Sequence, residues 1–229
     1  MTRFLLAGGG TAGHVNPMLA LADEIRRDNP NHEILTLGTA EGLEARLVPA
    51  RGYRLETVPK LPFPRKFGLY LFKFPVQFRA AVATTKRLIR EHQIEIVIGF
   101  GGYASAPAYQ AARELKIPLV IHEANALPGI ANRMAAKFAA GVAVAFRNTD
   151  LPNASFVGMP LRSEIEDIAR VRAASGDWRA ARKHFGLNPD GVTLLVTGGS
   201  LGAQRINSVI EASRALLSAA GIQVLHIVG

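Results

Sequence analysis

Residues 4–28, FLLAGGGTAGHVNPMLALADEIRRD, run an apolar strand pattern into a glycine-rich turn and then into apolar residues at helical spacing. A strand, a tight turn and a helix in that order leave few folds open; the unit opens a parallel α/β sheet. Gly8, Gly9, Gly10 and Gly13 let the backbone turn tightly and approach a ligand. The amides at the start of the helix that follows favour an anion at the same place. His14 is the one titratable side chain inside the loop. Asn16 and Pro17 form a cap and first-turn pair, which predicts a helix that starts only after the glycines. Met18, Leu21, Ala22 and Ile25 then share its buried face.

The same pattern repeats downstream. Strands are predicted over 33–37, 53–58, 94–99, 118–122, 141–145, 192–197 and 222–228. Helices are predicted over 41–50, 77–92, 106–115, 127–138 and 203–220, with a polar helix after residue 162. The prolines of 59–75 make 60–78 a loop with a short helix. Alternating strands and helices give a parallel sheet covered on both faces, with ligands outside the carboxyl ends of its strands. Thr11 with His14, Gly101 to Tyr103, and His122 to Asn125 all fall at those ends. A domain boundary near Leu161 divides the chain into 1–161 and 162–229. Gly9-Gly10-Thr11-Ala12-Gly13 is echoed by Gly198-Gly199-Ser200-Leu201-Gly202, so the second domain opens as the first does, and the first loop reads as one side of an interdomain cleft. Two parallel strands do not make a domain, so 162–229 is expected to be the start of a longer, truncated domain.

The composition, 48% hydrophobic and 20% charged, is that of a soluble globular protein. The absence of cysteine excludes disulfides and thiol catalysis. No apolar run resembles a signal peptide or reaches the ~20 residues of a membrane span. The net charge of +9 is concentrated: residues 57–90 hold eight Lys and Arg and no Asp or Glu. Within this window Lys60, Phe63, Arg65, Lys66, Phe67, Tyr70, Phe72, Lys73, Phe74, Phe78 and Arg79 interleave cations with aromatic rings. A solvated helix face explains the charge but not the rings. A nucleic-acid surface would use both, yet no nucleic-acid motif accompanies it. An anionic membrane surface also uses both and is the favoured partner, with nucleic acid not expected.

Gly8-x-Gly10-x-x-Gly13 matches a dinucleotide fingerprint literally. That fold wants an acidic residue at the end of the second strand, whereas this strand ends in Leu37-Gly38-Thr39. The predicted late helix start argues the same way. A purely structural glycine turn is the bland alternative. His14 is either a satisfied loop histidine or a general base. His122 and Glu123 are either supports or ligand contacts. The histidines and carboxylates lack metal-ligand spacing, and no Asp-x-Asp occurs.

GGGTAGHVNP, GFGGYASAP, HEAN, VGMPLR and GGSLGA, in this order, closely resemble the MurG-type N-acetylglucosaminyltransferases of peptidoglycan synthesis. The resemblance covers the chain from Phe4 onward. It implies two facing Rossmann-like domains of the GT-B type, the first complete and the second only its opening β-α-β. It implies inverting transfer of N-acetylglucosamine from UDP-N-acetylglucosamine to lipid I, giving lipid II, at the cytoplasmic face of the membrane. It implies no cofactor and no required metal. Residue by residue, it implies that His14 is the base and that Thr11, Ala12, Gly13, Asn125, Arg162 and Ser200 meet the donor sugar and its diphosphate. It assigns Gly101, Gly102 and Tyr103 to the acceptor diphosphate. Ala12 and Met159 depart from the residues common in the family, and most uridine contacts of the family come from positions later than Gly229. An acceptor-binding half of a split transferase and a nicotinamide oxidoreductase are the rival readings.

Overall fold

A computed structural model of the chain describes residues 1–64, 68–175, 178–199 and 202–229. It forms two compact units, Met1–Ile165 and Glu166–Gly229. The first unit runs β1 (Arg3–Ala7), α1 (Ala12–Asp28), β2 (Glu33–Gly38), α2 (Glu44–Ala50), β3 (Arg54–Thr57), α3 (Leu69–Glu91), β4 (Ile96–Gly99), α4 (Ser105–Leu115), β5 (Leu119–Glu123), α5 (Ile130–Ala135), β6 (Gly141–Val144) and β7 (Ala154–Phe156). The division falls within α6 (Ser163–Ser175).

All seven strands of the first unit pair in parallel, in the order β3-β2-β1-β4-β5-β6-β7. Side chains alternate across the pleat, so Leu5 and Ala7 enter one core layer and Leu6 the other. Leu6 and Ile98 meet Val15, Met18, Leu19 and Ala22 of α1 with Val48 of α2. Leu5 and Val97 meet Val82 and Ile89 of α3, Ala108 and Ala112 of α4, and Ala135 of α5. Leu5, Leu6, Met18 and Leu37 are fully buried, and each contributes roughly 1.5–3 kcal/mol by leaving water. Strand order reverses between β1 and β4, which places a crevice beyond the carboxyl ends of these two neighbours.

The second unit contains α7 (Arg179–His184), β8 (Thr193–Thr197), α8 (Gln204–Ala212), α9 (Arg214–Ala219) and β9 (Gln223–Ile227). β8 and β9 pair in parallel from Thr193↔Gln223 to Thr197↔Ile227.

Helix α7 is not among the predicted helices, α5 is shorter than the predicted 127–138, and four other elements also differ from the sequence expectation. Helix α1 begins at Ala12, inside the glycine motif, and Pro17 lies within it. Proline there removes only the hydrogen bond to the Gly13 carbonyl, and the burial of Val15, Met18 and Leu19 around it offsets that loss. The late helix start therefore does not count against a dinucleotide fingerprint; the missing acidic residue at the end of β2 still does. Helix α3 begins at Leu69 rather than 77 and carries Pro75 inside. Tyr70, Phe74 and Phe78 recur every fourth residue and pack along one face, the first pair edge-on and the second stacked, which holds the helix through the proline. The predicted helix over 203–220 is broken at Ser213, whose N–H divides between the carbonyls of Val209 and Ile210. Strand β7 has three exposed residues and shows no alternation that a sequence pattern could register.

Candidate functional site

The first glycine loop leaves β1 at Ala7. Gly8 N–H continues the sheet by donating to the Leu37 carbonyl at 3.1 Å. Gly10 has φ +85, the left-handed region that favours glycine. Thr11 is extended, and its carbonyl accepts the Val15 N–H that closes the first turn of α1. Beneath the loop lies Glu44, fully buried at the start of α2. Its Oε2 accepts the Gly10 N–H at 2.8 Å. Its Oε1 accepts the Thr39 N–H at 2.8 Å and the Thr39 hydroxyl at 2.7 Å. A Cβ on Gly9, Gly38 or Gly42 would overlap the Glu44 side chain, so three glycines make its room. Burial pushes the Glu44 carboxyl up, but the hydrogen bonds from Gly10 and Thr39 outweigh it and hold the group below the usual carboxylate value.

The second glycine loop leaves β4. Gly101 and Gly102 have φ +86 and +88, and Gly102 lies flat on the backbone of Gly9. Ser105 Oγ lies 2.9 Å from the Ala7 carbonyl oxygen and 2.7 Å from that of Gly101, which ties the ends of both loops to one hydroxyl. Gly101 N–H donates to the Tyr109 hydroxyl at 3.2 Å, and that hydroxyl donates to Asn132 Oδ1 at 2.7 Å. Burial pushes the Tyr109 hydroxyl far up, so it stays the donor this bond needs.

His14 stands between the loops. Its Nδ1 lies 3.0 Å from the Gly9 carbonyl oxygen and 3.2 Å from Thr11 Oγ1. A carbonyl only accepts, so Nδ1 carries the proton and Nε2 of the neutral ring is a lone pair. Nε2 faces Gly101, where a Cβ would lie 3.2 Å from it, and has no hydrogen bond to a described residue.

The third loop follows β5. Glu123 is buried and accepts four hydrogen bonds: from Asn125 N at 2.9 Å, Asn125 Nδ2 at 2.8 Å, Gly129 N at 2.9 Å and Asn132 Nδ2 at 2.9 Å. It is a brace for the loop, with its acceptor sites filled. His122 is buried against Phe100 and bonds the Gly158 carbonyl through Nε2 at 3.0 Å, while its Nδ1 has no partner among the described residues. Burial lowers its titration below the ordinary 6.5, against the opposing effects of Gly158 and Glu123. It is thus a support behind the loop rather than a group in the cleft.

These loops wall a cleft of about 1060 Å³. Thr11, His14, Gly101, Gly102 and Tyr103 line it together with Lys60, Phe63 and Tyr70. Lys60 Nζ lies 5.6 Å from the centre of the Tyr103 ring. Ala12 and Gly13 are the first residues of α1 behind Thr11. Asn125 is exposed on the third loop but is not part of the wall, and Arg162 is exposed past β7. Ser200 lies outside the described residues. Among the described residues no group of His, Asp and Glu could hold a metal ion. A smaller apolar cavity of about 350 Å³, between α3, α4 and α5, contains none of the loop residues.

The basic aromatic window divides. Phe63, Tyr70, Phe74 and Phe78 turn inward and pack on one another, with Tyr70 Oη donating to the Pro62 carbonyl at 2.8 Å. Phe72, Lys73 and Arg79 face solvent on α3, beside an exposed Val76. Arg65, Lys66 and Phe67 lie outside the described residues. Among the described residues no helix is long and apolar enough to cross a membrane. Sequence reasoning missed Glu44, Tyr109 and Asn132. The available signal for Glu44 was a carboxylate at an apolar position of α2, beside Leu43, Leu47 and Val48 and flanked by glycines.

Residues 4–144 match the glycosyltransferase family 28 N-terminal domain. The chain is 59% identical, over its whole length, to the UDP-N-acetylglucosamine--N-acetylmuramyl-(pentapeptide) pyrophosphoryl-undecaprenol N-acetylglucosamine transferase of Leifsonia xyli subsp. xyli, and spans 63% of that protein. It is 55% identical to the protein of the same name from Clavibacter michiganensis subsp. michiganensis, spanning 62% of it. The fold resembles Acinetobacter baumannii MurG, with a TM-score of 0.72 at 24% identity, covering 100% of this chain and 68% of that one. It also resembles a Neisseria meningitidis UDP-GlcNAc 2-epimerase bound to UDP-GlcNAc, with a TM-score of 0.62 at 13% identity, covering 100% of this chain and 73% of that one.

Proposed function

The chain belongs to glycosyltransferase family 28, and from that premise we propose that it carries the acceptor site and general base of an inverting N-acetylglucosaminyltransferase. The donor is UDP-N-acetylglucosamine and the acceptor is lipid I, a muramoyl-peptide on undecaprenyl diphosphate; the product is lipid II. The observation that carries this reading is His14 Nε2, a lone pair facing the cleft between two glycine loops.

The acceptor hydroxyl gives its proton to Nε2 as its oxygen attacks the sugar carbon from the face opposite the departing diphosphate. The open N–H groups in the first turn of α1, at Ala12 and Gly13, with Thr11 beside them, favour that diphosphate. Gly10 N–H takes no part, since Glu44 already holds it. Asn125 and Arg162 add donor contacts, and Gly101, Gly102 and Tyr103 hold the acceptor diphosphate. The exposed Phe72, Lys73 and Arg79 face of α3 docks on anionic lipid at the cytoplasmic side of the membrane, where lipid I is met. The chain spans about 63% of the relatives' length, so the activity belongs to the intact enzyme.

The test is transfer of labelled N-acetylglucosamine from UDP-N-acetylglucosamine to a lipid I analogue by the intact enzyme. His14→Ala is expected to reduce turnover by about two to four orders of magnitude. Near-normal turnover removes His14 from the role.

A further inference from the structure

Glu44 Oε2 and His14 Nδ1 bond to opposite ends of one peptide group. The Gly10 N–H that donates to Glu44 and the Gly9 carbonyl that accepts from His14 belong to the same amide. We infer that Glu44 is a positioning residue for His14, acting through the Gly9–Gly10 peptide.

Three observations point the same way. First, a carboxylate accepting from an amide N–H increases the negative charge on that amide's oxygen, because hydrogen bonds in a chain polarise one another. The Gly9 oxygen therefore accepts more strongly from Nδ1–H. That selects the tautomer with a bare Nε2 and fixes the ring's orientation. Second, among the described residues no cation pairs with Glu44, and its charge is held instead by the hydrogen bonds from Gly10 and Thr39. When His14 takes a proton at Nε2 it becomes a cation, and the intervening amide transmits the attraction between the two charges. Third, a mere brace for the turn after β2 would need only Oε1, which already serves both donors of Thr39. Oε2 crosses to the first glycine loop, and Gly9 and Gly42 both lack the side chains that would block its approach. In the reaction the hydroxyl proton moves to Nε2, Nδ1–H stays on the Gly9 oxygen, and Glu44 remains ionised throughout.

This rests on the proposed role of His14 for its catalytic consequence, but the relay itself is readable without turnover. Histidine ¹⁵N long-range correlation spectra of this chain show which ring nitrogen holds the proton. The wild-type chain is expected to show His14 as the Nδ1–H form. Glu44→Gln should shift it toward a mixture with the Nε2–H form, whereas Thr39→Ala, which spares the Oε2 bond, should not. In the intact enzyme Glu44→Gln should lower kcat by about ten- to a hundredfold, less than the loss when a carboxylate bonded directly to histidine is neutralised. The KM for UDP-N-acetylglucosamine should change by less than about twofold, because only the base is affected. A wild-type His14 in the Nε2–H form overturns the relay whether or not the variants fold. So does an unchanged tautomer in folded Glu44→Gln. A His14→Ala enzyme that retains turnover overturns the base assignment alone and leaves the tautomer result standing.

Discussion

Gly102 rests so closely on Gly9 that any side chain on it would collide with the Gly9 carbonyl oxygen. That oxygen is also the acceptor for His14 Nδ1. Gly102→Ala therefore strains a φ of +88 and pushes on the group that orients the base. It should destabilise the first unit by about 2–5 kcal/mol, combining backbone strain with overpacking. Thermal unfolding measures the loss, and transfer activity should fall further than stability alone accounts for.

Glu123→Ala strips the acceptor from Asn125 N, Asn125 Nδ2, Gly129 N and Asn132 Nδ2 together. Some of these donors recover water at the cleft, so a loss of about 2–4 kcal/mol is expected rather than the sum of four bonds. Denaturant unfolding should show the midpoint falling with the slope unchanged. A stability equal to wild type contradicts the bracing role.

His122 titrates below 6.5 in the folded chain because burial disfavours its charged form. Between that lowered value and 6.5 the unfolded chain binds the extra proton, so stability falls as pH drops below about 6.5 and has no contribution from this residue above it. His122→Gln removes the titrating ring and should flatten the dependence of the melting temperature on pH in that window. Glu44 acts lower: its depressed carboxyl contributes stability above 4.5 that is lost as pH falls through the folded value. The two effects are therefore separable by pH.

The two sides of α3 predict opposite phenotypes. Arg79→Glu and Phe72→Ser alter exposed residues and should weaken sedimentation with anionic vesicles, by about fivefold or more for the charge reversal, with little change in melting. Phe74→Ala empties the stack among Phe63, Tyr70 and Phe78 and should cost about 3 kcal/mol of stability. Vesicle binding insensitive to salt contradicts an electrostatic dock.

The strands and the loops that follow β1, β4 and β5 were legible because they rest on local patterns: apolar runs, glycines and a histidine within a few residues. Helix α1 was misjudged at its start because proline and asparagine are local signals too, and the packing of Val15 and Met18 overrides them. The role of Glu44 was hidden for a different reason, although its apolar position in α2 was a signal. Its partner Gly10 is 34 positions away, and nothing in either neighbourhood announces the other. From the sequence the first loop reads as a dinucleotide fingerprint with a histidine attached; the structure adds a bond from below, by a residue of the next βα unit. The split of Phe63, Tyr70, Phe74 and Phe78 from Phe72 needed the helix phase, which Pro75 concealed.

Strand β1 sends Leu5 and Ala7 to one layer and Leu6 to the other, and three residues later the chain reaches Gly10. Strand phase and loop geometry are thus counted from the same origin. One residue inserted or lost within β1 would either exchange the two layers or displace the Gly9–Gly10 amide from both Glu44 and His14. No such constraint acts on the far side of α1, where Asn29 to Asn31 connect to β2. The stretch before α1 behaves as a fixed-length ruler, tolerant of conservative replacement and closed to insertion and deletion.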